Sequence, residues 1–290
     1  MILVTGATGK VGSEVVRLLL EAGQEVVAVT RDPASASASL PAGARVVVGD
    51  PSQPRTLAPA LTGVESIFLN PLAVGDAASE LLSLAADAGV QRVVVLSATT
   101  VEYPVGYRRF ADAFRAIEDA ARASGLAWTF LRCADFDANA MVWAPQIRSG
   151  DAVYGVYGDA ATSPIHEWDI AAVGARALVD TAHAGRSYLL TGPQSLTQRD
   201  KVRLIGEAIG RDLTWVEIPP DQLRETLLAQ GVPSDVPERL IGSLSDYAKH
   251  PGPSSSALGE LLGRPARTFA EWAAGHAAAF REPALGRQES

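Results

Sequence analysis

The sequence has few of the residues that build disulfides and metal centres. Its 290 residues include a single cysteine, Cys133, and four histidines. One cysteine excludes an internal disulfide and a cysteine-based zinc site, and the histidines are too scattered for the spacing of metal ligands. We expect no metal site. We also expect Cys133 to be an unreactive apolar residue, because no neighbour in the sequence would stabilise its thiolate.

Long apolar runs and an excess of positive charge are absent as well. No apolar run approaches the roughly 18 residues of a membrane span, and an apolar strand that begins at residue 2 leaves no room for a signal peptide. The formal net charge is −8, whereas binding to nucleic-acid phosphates generally needs a basic face. We therefore expect a cytoplasmic protein that binds a small molecule and neither membrane nor nucleic acid. Whether it forms a homodimer stays open.

Three glycines stand in the first fourteen residues at a spacing that indicates a binding site. Residues 2 to 4 form an apolar run, which is typical of a strand buried on both faces. Apolar residues from Val11 onward recur at helical spacing. Gly6, Gly9 and Gly12 lie at the junction between strand and helix. This succession indicates a dinucleotide site, in which glycines let a pyrophosphate approach the backbone and the helix N-terminus supplies N–H groups.

The motif Thr-Gly-Ala-Thr-Gly-Lys-Val-Gly at residues 5 to 12 resembles that of the atypical short-chain dehydrogenase/reductases. Later segments narrow the resemblance to the NmrA-like branch, with its quinone reductases and cofactor-sensing regulators. These segments are Val-Thr-Arg-Asp-Pro at 29 to 33, Gly-Asp at 49 and 50, Ser-Gly-Leu-Ala-Trp-Thr-Phe-Leu-Arg at 124 to 132, Phe-Asp-Ala-Asn at 136 to 139 and Leu-Thr-Gly-Pro-Gln-Ser-Leu-Thr at 190 to 197. The resemblance extends along most of the chain.

The resemblance and the strand ends together imply a set of cofactor-binding residues. They are Gly6, Thr8, Gly9, Lys10, Val11, Gly12, Arg31, Asp50, Asn70, Ser97, Phe114 and Cys133. In the family an aspartate at the position of Asp50 lies beside the adenine, although a plain turn aspartate is an equal alternative. Relatives usually have a proline at the position of Cys133, in a loop that passes the nicotinamide.

Two basic residues favour NADP(H) over NAD(H). The second strand ends at Thr30-Arg31. At this position, Rossmann folds that bind NAD carry an acidic residue that accepts hydrogen bonds from the ribose hydroxyls. Arg31 could instead form paired hydrogen bonds with a 2′-phosphate. Lys10 lies in the glycine turn of a chain in which only three of 25 basic residues are lysines, so it departs from the chain's use of arginine. The alternatives are an exposed arginine at a strand end and a solvated loop lysine.

The catalytic pair of ordinary short-chain reductases is missing. That pair, Tyr-x-x-x-Lys, passes a proton to the substrate, and the resemblance places Phe110 and Phe114 at its two positions. Tyr103 and Tyr107 lie upstream, but neither has a lysine four residues later. Ser97, Tyr103 and Phe114 are the candidates for a catalytic role, which stays unassigned.

Six residues are predicted to line a substrate pocket. They are Tyr103, Tyr107, Phe136, Asn139, Trp143 and His166. Ordinary packing is the alternative for the aromatic residues, and a histidine in such a loop often anchors the backbone.

The order of the predicted elements indicates an α/β fold with a doubly wound parallel sheet, a Rossmann fold of about seven strands. Strands and helices alternate through residues 1–135 and 167–192, which we assign to the Rossmann core of a single unit over 1–290. Residues 136–166 and 193–282 are assigned to a smaller, mainly helical substrate-side lobe, in which 150–158 is interpreted as a turn-rich excursion. Residues 283–290 are expected to form a frayed tail.

These features favour an NADPH-dependent reductase that transfers hydride to a small conjugated carbonyl or quinone. The anion formed from such an acceptor is delocalised, so its reduction needs less proton donation and tolerates the missing pair. A non-catalytic NADP(H)-binding sensor is the alternative. A sugar epimerase is disfavoured because its chemistry also depends on that pair.

Overall fold

Seven parallel strands form the central sheet of the computed structural model, which describes residues 1–106 and 108–281. Tyr107 and residues 282–290, which include the predicted tail, lie outside this description. The described strands are β1 Ile2–Val4, β2 Val26–Thr30, β3 Arg45–Val48, β4 Ser66–Leu69, β5 Arg92–Ala98, β6 Ala127–Cys133, β7 Ala152–Gly155, β8 Ala161–Thr162, β9 Arg186–Leu190, β10 Leu196–Thr197 and β11 Thr214–Glu217. The large sheet has the order β3-β2-β1-β4-β5-β6-β9, and all of its neighbours run parallel.

Helices connect these strands and build most of the remaining structure. The described α-helices are α1 Lys10–Glu21, α2 Pro33–Ser39, α3 Pro71–Val74, α4 Ala78–Asp87, α5 Arg108–Ala123, α6 Ala144–Ser149, α7 Glu167–Val179, α8 Gln198–Ile209, α9 Pro220–Ala229, α10 Asp235–Lys249, α11 Ala257–Leu262, α12 Phe269–Gly275 and α13 Ala277–Phe280. A 3₁₀ helix over Asp137–Trp143 precedes α6. None of the helices in the described residues is long and apolar enough to cross a membrane.

The central strands are apolar on both sides because helices cover both faces of the sheet. On β5, Val94 faces the layer that contains α1 and α7, whereas Val93 and Val95 face the layer that contains α4 and α5. The strand order changes direction at β1, which lies between β2 and β4. Such a change opens a crevice at the carboxyl ends of the strands, where ligands of these folds bind. The predicted doubly wound sheet of about seven strands is therefore confirmed.

The helical lobe has a hydrophobic core of its own. Its largest members, Trp272 and Phe280, are fully buried among residues from the 3₁₀ helix, α6, α8, α12 and α13. The residue boundaries predicted for this lobe stay a prediction. The lobe begins at the carboxyl edge of the sheet, because β6 ends at that edge and the 3₁₀ helix begins four residues later.

The segment 150–158, expected to be a turn-rich excursion, contains a strand. Residues Ala152–Gly155 form β7 and pair in parallel with β11. The glycines of this segment allow the backbone to lie close to Trp215. A Cβ at Gly155 would lie 2.3 Å from the Trp215 ring, and one at Gly158 would lie 2.6 Å from the Trp215 Nε1. The partner strand lies about sixty residues away, so no local pattern revealed the pairing.

The helical segment over residues 268 to 280 is divided in two. Thr268 and Glu271 form a reciprocal capping box at its start. The helix ends at Gly275, and α13 begins after His276, whose φ of −109° departs from helical geometry. A glycine in the middle of a helical pattern weakens it, and the break lets Phe280 reach the lobe core.

Candidate active site

The glycine turn after β1 requires two of its glycines for steric reasons. Gly6 has a φ of +62°, and a Cβ there would lie 2.5 Å from Nδ2 of Asn70. A Cβ at Gly12 would lie 2.1 Å from the carbonyl oxygen of Gly6. The absence of a side chain at Gly12 therefore allows helix α1 to pack closely against the loop that precedes it.

The same turn fits the phosphates of a dinucleotide. No side chain caps α1 at Gly9, and no acidic residue lies in its first turn. The first backbone N–H groups of the helix therefore remain available for an anion. A Cβ at Gly9 would meet, within 4 Å, only the Gly6 carbonyl oxygen at 3.2 Å, so the rest of its surroundings is open. The loop therefore has both the donors and the open space that a phosphate would need.

Lys10 connects this loop to the start of the helical lobe. Its Nζ donates a hydrogen bond to the carbonyl oxygen of Ala138 at 2.9 Å. An ammonium carries three donors, so this contact leaves others for a phosphate. The Ala138 N–H donates to Oε1 of Glu167 at 2.6 Å. Ala138 is thus held from α1 on one side and from α7 on the other.

Arg31 and Asp50 lie at the carboxyl ends of the adjacent strands β2 and β3. Arg31 is exposed, as a residue that reads a 2′-phosphate needs to be. Hydrogen bonds from Ser52 hold the pKa of Asp50 below its ordinary value, and the charge of Arg31 contributes to the shift. Asp50 also accepts a hydrogen bond from Gln53. The Asp50 carboxylate therefore stabilises the turn that follows β3.

Ser97 faces a buried ion-pair cluster. Its hydroxyl donates to Oε1 of Glu118 at 2.7 Å, and Arg132 donates to both oxygens of that carboxylate. Burial alone would raise the pKa of Glu118, but the hydrogen bonds from Arg132 and Ser97 bring it below its ordinary value. Ser97 is thus engaged in binding β5 to α5.

Phe110 joins α5 to the helical lobe and packs against Phe114. Their rings form an edge-to-face pair with centroids 4.8 Å apart, and the Arg239 guanidinium of α10 lies 4.5 Å from the Phe110 ring centroid. Asn70 caps α3, since its Oδ1 accepts from the Leu72 N–H. Cys133 is buried at the end of β6, and burial raises the pKa of its thiol well above the ordinary value.

A cavity of about 230 Å³ lies between the loop after β6 and the helical lobe. Three predicted pocket residues, Phe136, Asn139 and Trp143, line it. Further apolar walls come from α9, α10, β11 and α12: Leu223, Leu227, Leu240, Leu244, Trp215 and Phe269. Among the described residues, Tyr103, Phe114 and His166 do not line it, and Tyr107 lies outside the description.

His166 caps a helix instead. Its Nδ1 accepts a hydrogen bond from the Trp168 N–H at 3.1 Å, at the first turn of α7. Burial lowers the pKa of His166 below its ordinary value, which keeps the ring neutral and able to accept. This placement corresponds to the anchoring role weighed above as the alternative.

Apart from Asn139, the polar residues of the cavity were not identified from the sequence. Lys201 of α8 is buried, and its Nζ lies 3.0 Å from Oδ2 of Asp135 and 2.7 Å from Oγ1 of Thr162. Tyr247 of α10 also lines the cavity. Burial raises its pKa to about 12, and a hydrogen bond with Thr99 opposes the rise. Lys201 alone had a signal in the sequence, because it is one of only three lysines.

Asp137 is the most perturbed group in the cavity wall. It is 1% exposed, and neither of its carboxylate oxygens has a hydrogen-bond partner among the described residues. Burial, reinforced by the charges of Glu167 and Asp135, raises the pKa of Asp137 to about 8. No group of three or more potential metal ligands occurs in the described residues. Asp137 is therefore neutral through most of the physiological pH range.

Comparisons with known proteins agree with this geometry. A family model described as NAD(P)H-binding matches residues 6–181. The chain is 38% identical to the (4-alkanoyl-5-oxo-2,5-dihydrofuran-3-yl)methyl phosphate reductase of Streptomyces griseus over 97% of this chain and 99% of the relative. It is 35% identical to the NAD(P)H azoreductase of Xenophilus azovorans over the same shares.

A solved structure extends the likeness to three dimensions. The NADPH-dependent quinone oxidoreductase of Escherichia coli, in complex with NADPH, superposes with a TM-score of 0.81 at 26% identity. The match covers 95% of this chain and 99% of that chain. Both the parallel sheet with its glycine loop and the helical lobe thus have counterparts in a reductase.

Proposed function

The chain belongs to the NAD(P)H-binding family and is related to its reductases, and from that premise we propose that it is an NADPH-dependent reductase of a small conjugated carbonyl or quinone. The observation that carries the proposal is the aromatic-lined cavity beside the loop that follows β6. NADPH, when bound, supplies the hydride. The glycine loop holds its pyrophosphate, and Arg31 and Lys10 favour the 2′-phosphorylated cofactor.

The chemistry of the relatives' substrates supports this acceptor class. The names of the relatives specify a furanone, an azo compound and a quinone. All three contain a conjugated double bond whose reduction delocalises the added charge. The present cavity suits such molecules, because aromatic and leucine side chains pack well against flat unsaturated rings.

The residues at the positions of the usual Tyr/Lys pair also fit the proposal. Phe110 and Phe114 pack against each other, and Phe110 also packs against Arg239 of the lobe; neither ring offers a proton. An acceptor that stabilises its own anion depends least on that pair. The sensor alternative is disfavoured, since the two relatives described above, which the chain matches over 97% of its length, are named as reductases.

The test is acceptor-dependent oxidation of NADPH by the purified protein with a panel of quinones, azo compounds and unsaturated ketones. Leu227 of α9 lines the cavity, whereas its neighbour Leu228 is exposed. We expect Leu227→Arg to raise the acceptor KM at least tenfold and leave the NADPH Kd unchanged. The matched control, Leu228→Arg, should change neither. Binding of NADPH without turnover of any acceptor would instead favour the sensor.

A further inference from the structure

The carboxyl group of Asp137 occupies an unusual place in the cavity wall. Buried polar side chains in folded proteins almost always have hydrogen-bond partners, and an exception calls for an explanation. Asp137 is 1% exposed, lines the cavity and has both oxygens unpartnered among the described residues. A bound molecule that accepts a hydrogen bond would give this group the partner that the chain itself does not provide.

The groups around Asp137 keep it neutral. Glu167 and Asp169 face it from α7, and Asp135 faces it from its own loop; all three disfavour a further negative charge. Lys201 of α8 is the one cation recorded near it, and its ammonium is already bound to Asp135 and Thr162. Together with burial, this surplus of carboxylates keeps the proton on Asp137.

The backbone holds Asp137 between the cofactor loop and the cavity. The next residue, Ala138, is clamped by Lys10 and Glu167, and the Asp137 N–H donates to the Ile165 carbonyl at 3.0 Å. The segment leaves the carboxyl end of β6, where the reactive end of a bound cofactor lies in this type of sheet. Asp137 is thus held rigidly at a place where an acceptor molecule would contact both the cofactor and the Asp137 carboxyl group.

We propose that Asp137 donates the proton that completes reduction of the acceptor in this cavity, a role that rests on the proposed function. As the acceptor takes a hydride from NADPH at one atom of its conjugated system, the π electrons move to the oxygen or nitrogen at the other end. The Asp137 O–H bond breaks, and its proton forms a new O–H or N–H bond there. The carboxylate left behind regains a proton from water after the product leaves.

Tyr247 is the competing donor in the cavity wall. Its hydroxyl bonds with that of Thr99, and its pKa of about 12 means that it releases a proton less readily than Asp137. The carboxylic acid therefore replaces the missing tyrosine from a different element, the start of the 3₁₀ helix that follows β6.

Asp137→Asn tests the proposal, because asparagine keeps the shape and a hydrogen-bond donor but cannot transfer a proton. We expect kcat to fall about a hundredfold, as loss of a general acid does, with the NADPH Kd unchanged. The wild-type rate should decline above about pH 8, and this decline should vanish in the variant. The exposed Asp87→Asn at the end of α4 serves as the matched control and should leave rate and pH profile unaltered.

Two further measurements separate proton donation from a structural role. Infrared difference spectroscopy at pH 6.5 should show the carbonyl band of a protonated carboxyl in the wild type and not in Asp137→Asn. Glu167→Gln retains an oxygen for the Ala138 N–H but removes a neighbouring charge, so it should move the alkaline decline to lower pH.

The outcomes distinguish the two proposals. An active wild type with an Asp137→Asn variant of equal rate, or a wild type without the carboxyl band, overturns the proton-donor role alone. If the wild type reduces no acceptor, the proposed function fails and the donor role falls with it. Should Asp137→Asn not fold, an alkaline decline at the same pH in the wild type and Glu167→Gln overturns the donor role.

Discussion

At the scale of single residues, Arg31 carries the prediction for cofactor choice. Its guanidinium is exposed at the end of β2, and a charge-assisted hydrogen bond contributes roughly 1.5 to 3 kcal/mol. Because solvent screens an exposed charge, we expect Arg31→Ala to weaken NADPH binding by about tenfold. NADH binding should be unchanged, since NADH has no 2′-phosphate.

Fluorescence titration with both cofactors measures this difference. Arg55→Ala is the control, because Arg55 is a surface arginine whose recorded partner is Glu80, away from the β2 end. An equal loss of affinity for NADH and NADPH in Arg31→Ala would show that this arginine does not read the phosphate.

The raised pKa of Asp137 also predicts how stability depends on pH. The folded chain keeps a proton on Asp137 up to about pH 8, whereas the unfolded chain loses it near pH 4. Folding is therefore favoured at low pH, and this contribution falls by at most about 1.4 kcal/mol per pH unit until pH 8.

Urea unfolding at pH 5.5 and 7.5 tests that dependence. The stability of the wild type relative to Asp137→Asn should fall by about 2 kcal/mol between the two values. An unchanged difference would mean that Asp137 ionises normally in the folded chain.

At the scale of structural elements, two glycines of the same turn are expected to have different roles, Gly12 in stability and Gly9 in cofactor binding. A Cβ at Gly12 would lie 2.1 Å from a backbone oxygen, which forces the loop to move, so Gly12→Ala should lower the free energy of unfolding by about 1 to 3 kcal/mol. A Cβ at Gly9 meets that oxygen at 3.2 Å. Gly9→Ala should therefore fold almost normally but bind NADPH at least tenfold more weakly, because the methyl group occupies the path of the phosphate.

Chemical denaturation and cofactor titration of both variants check this contrast. Gly150→Ala is the control, since a Cβ there meets nothing within 4 Å. The assignment of roles within the turn is wrong if Gly9→Ala loses stability and keeps its affinity for NADPH.

At the scale of the whole molecule, Asp169 links the lobe to the Rossmann core. It is fully buried in α7, and its carboxylate accepts from the Arg264 guanidinium and, at 2.7 Å, from the Arg267 N–H. Both arginines also lie over the ring of Trp168. Removing one partner of a buried ion pair commonly costs about 3 to 5 kcal/mol. Because Arg264 and Arg267 are themselves partly exposed, we expect Asp169→Asn to lower the free energy of unfolding by about 2 kcal/mol.

Urea unfolding followed by tryptophan fluorescence measures this change. Glu21→Gln, which weakens an exposed pair with Arg17, should alter the free energy by less than about 0.5 kcal/mol. Equal effects in the two variants would show that the Asp169 contacts do not join the lobe to the core.

The sequence by itself determined the sheet, its helices and the glycine loop. These features depend on local patterns, namely apolar runs for strands covered on both faces, helical periodicity, and glycines at fixed spacing after a strand. The likeness of its motifs to a reductase family added the NAD(P)H-binding function. Phe136, Asn139 and Trp143 were predicted together because they lie in one short segment next to a strand end. They line the cavity, and their contact with a substrate stays a prediction.

Only the tertiary structure decided which polar groups meet in the cavity. Asp137 lies in the 3₁₀ helix after β6, Lys201 follows 64 residues later in α8, and Tyr247 a further 46 residues later in α10. No local sequence pattern indicates that these three residues meet. It also turned Ser97 toward Glu118 and His166 toward a helix N-terminus. The physical reason is that burial and charge environment depend on the packing of distant elements, and these two quantities determine whether a carboxyl group is a surface anion or a neutral acid.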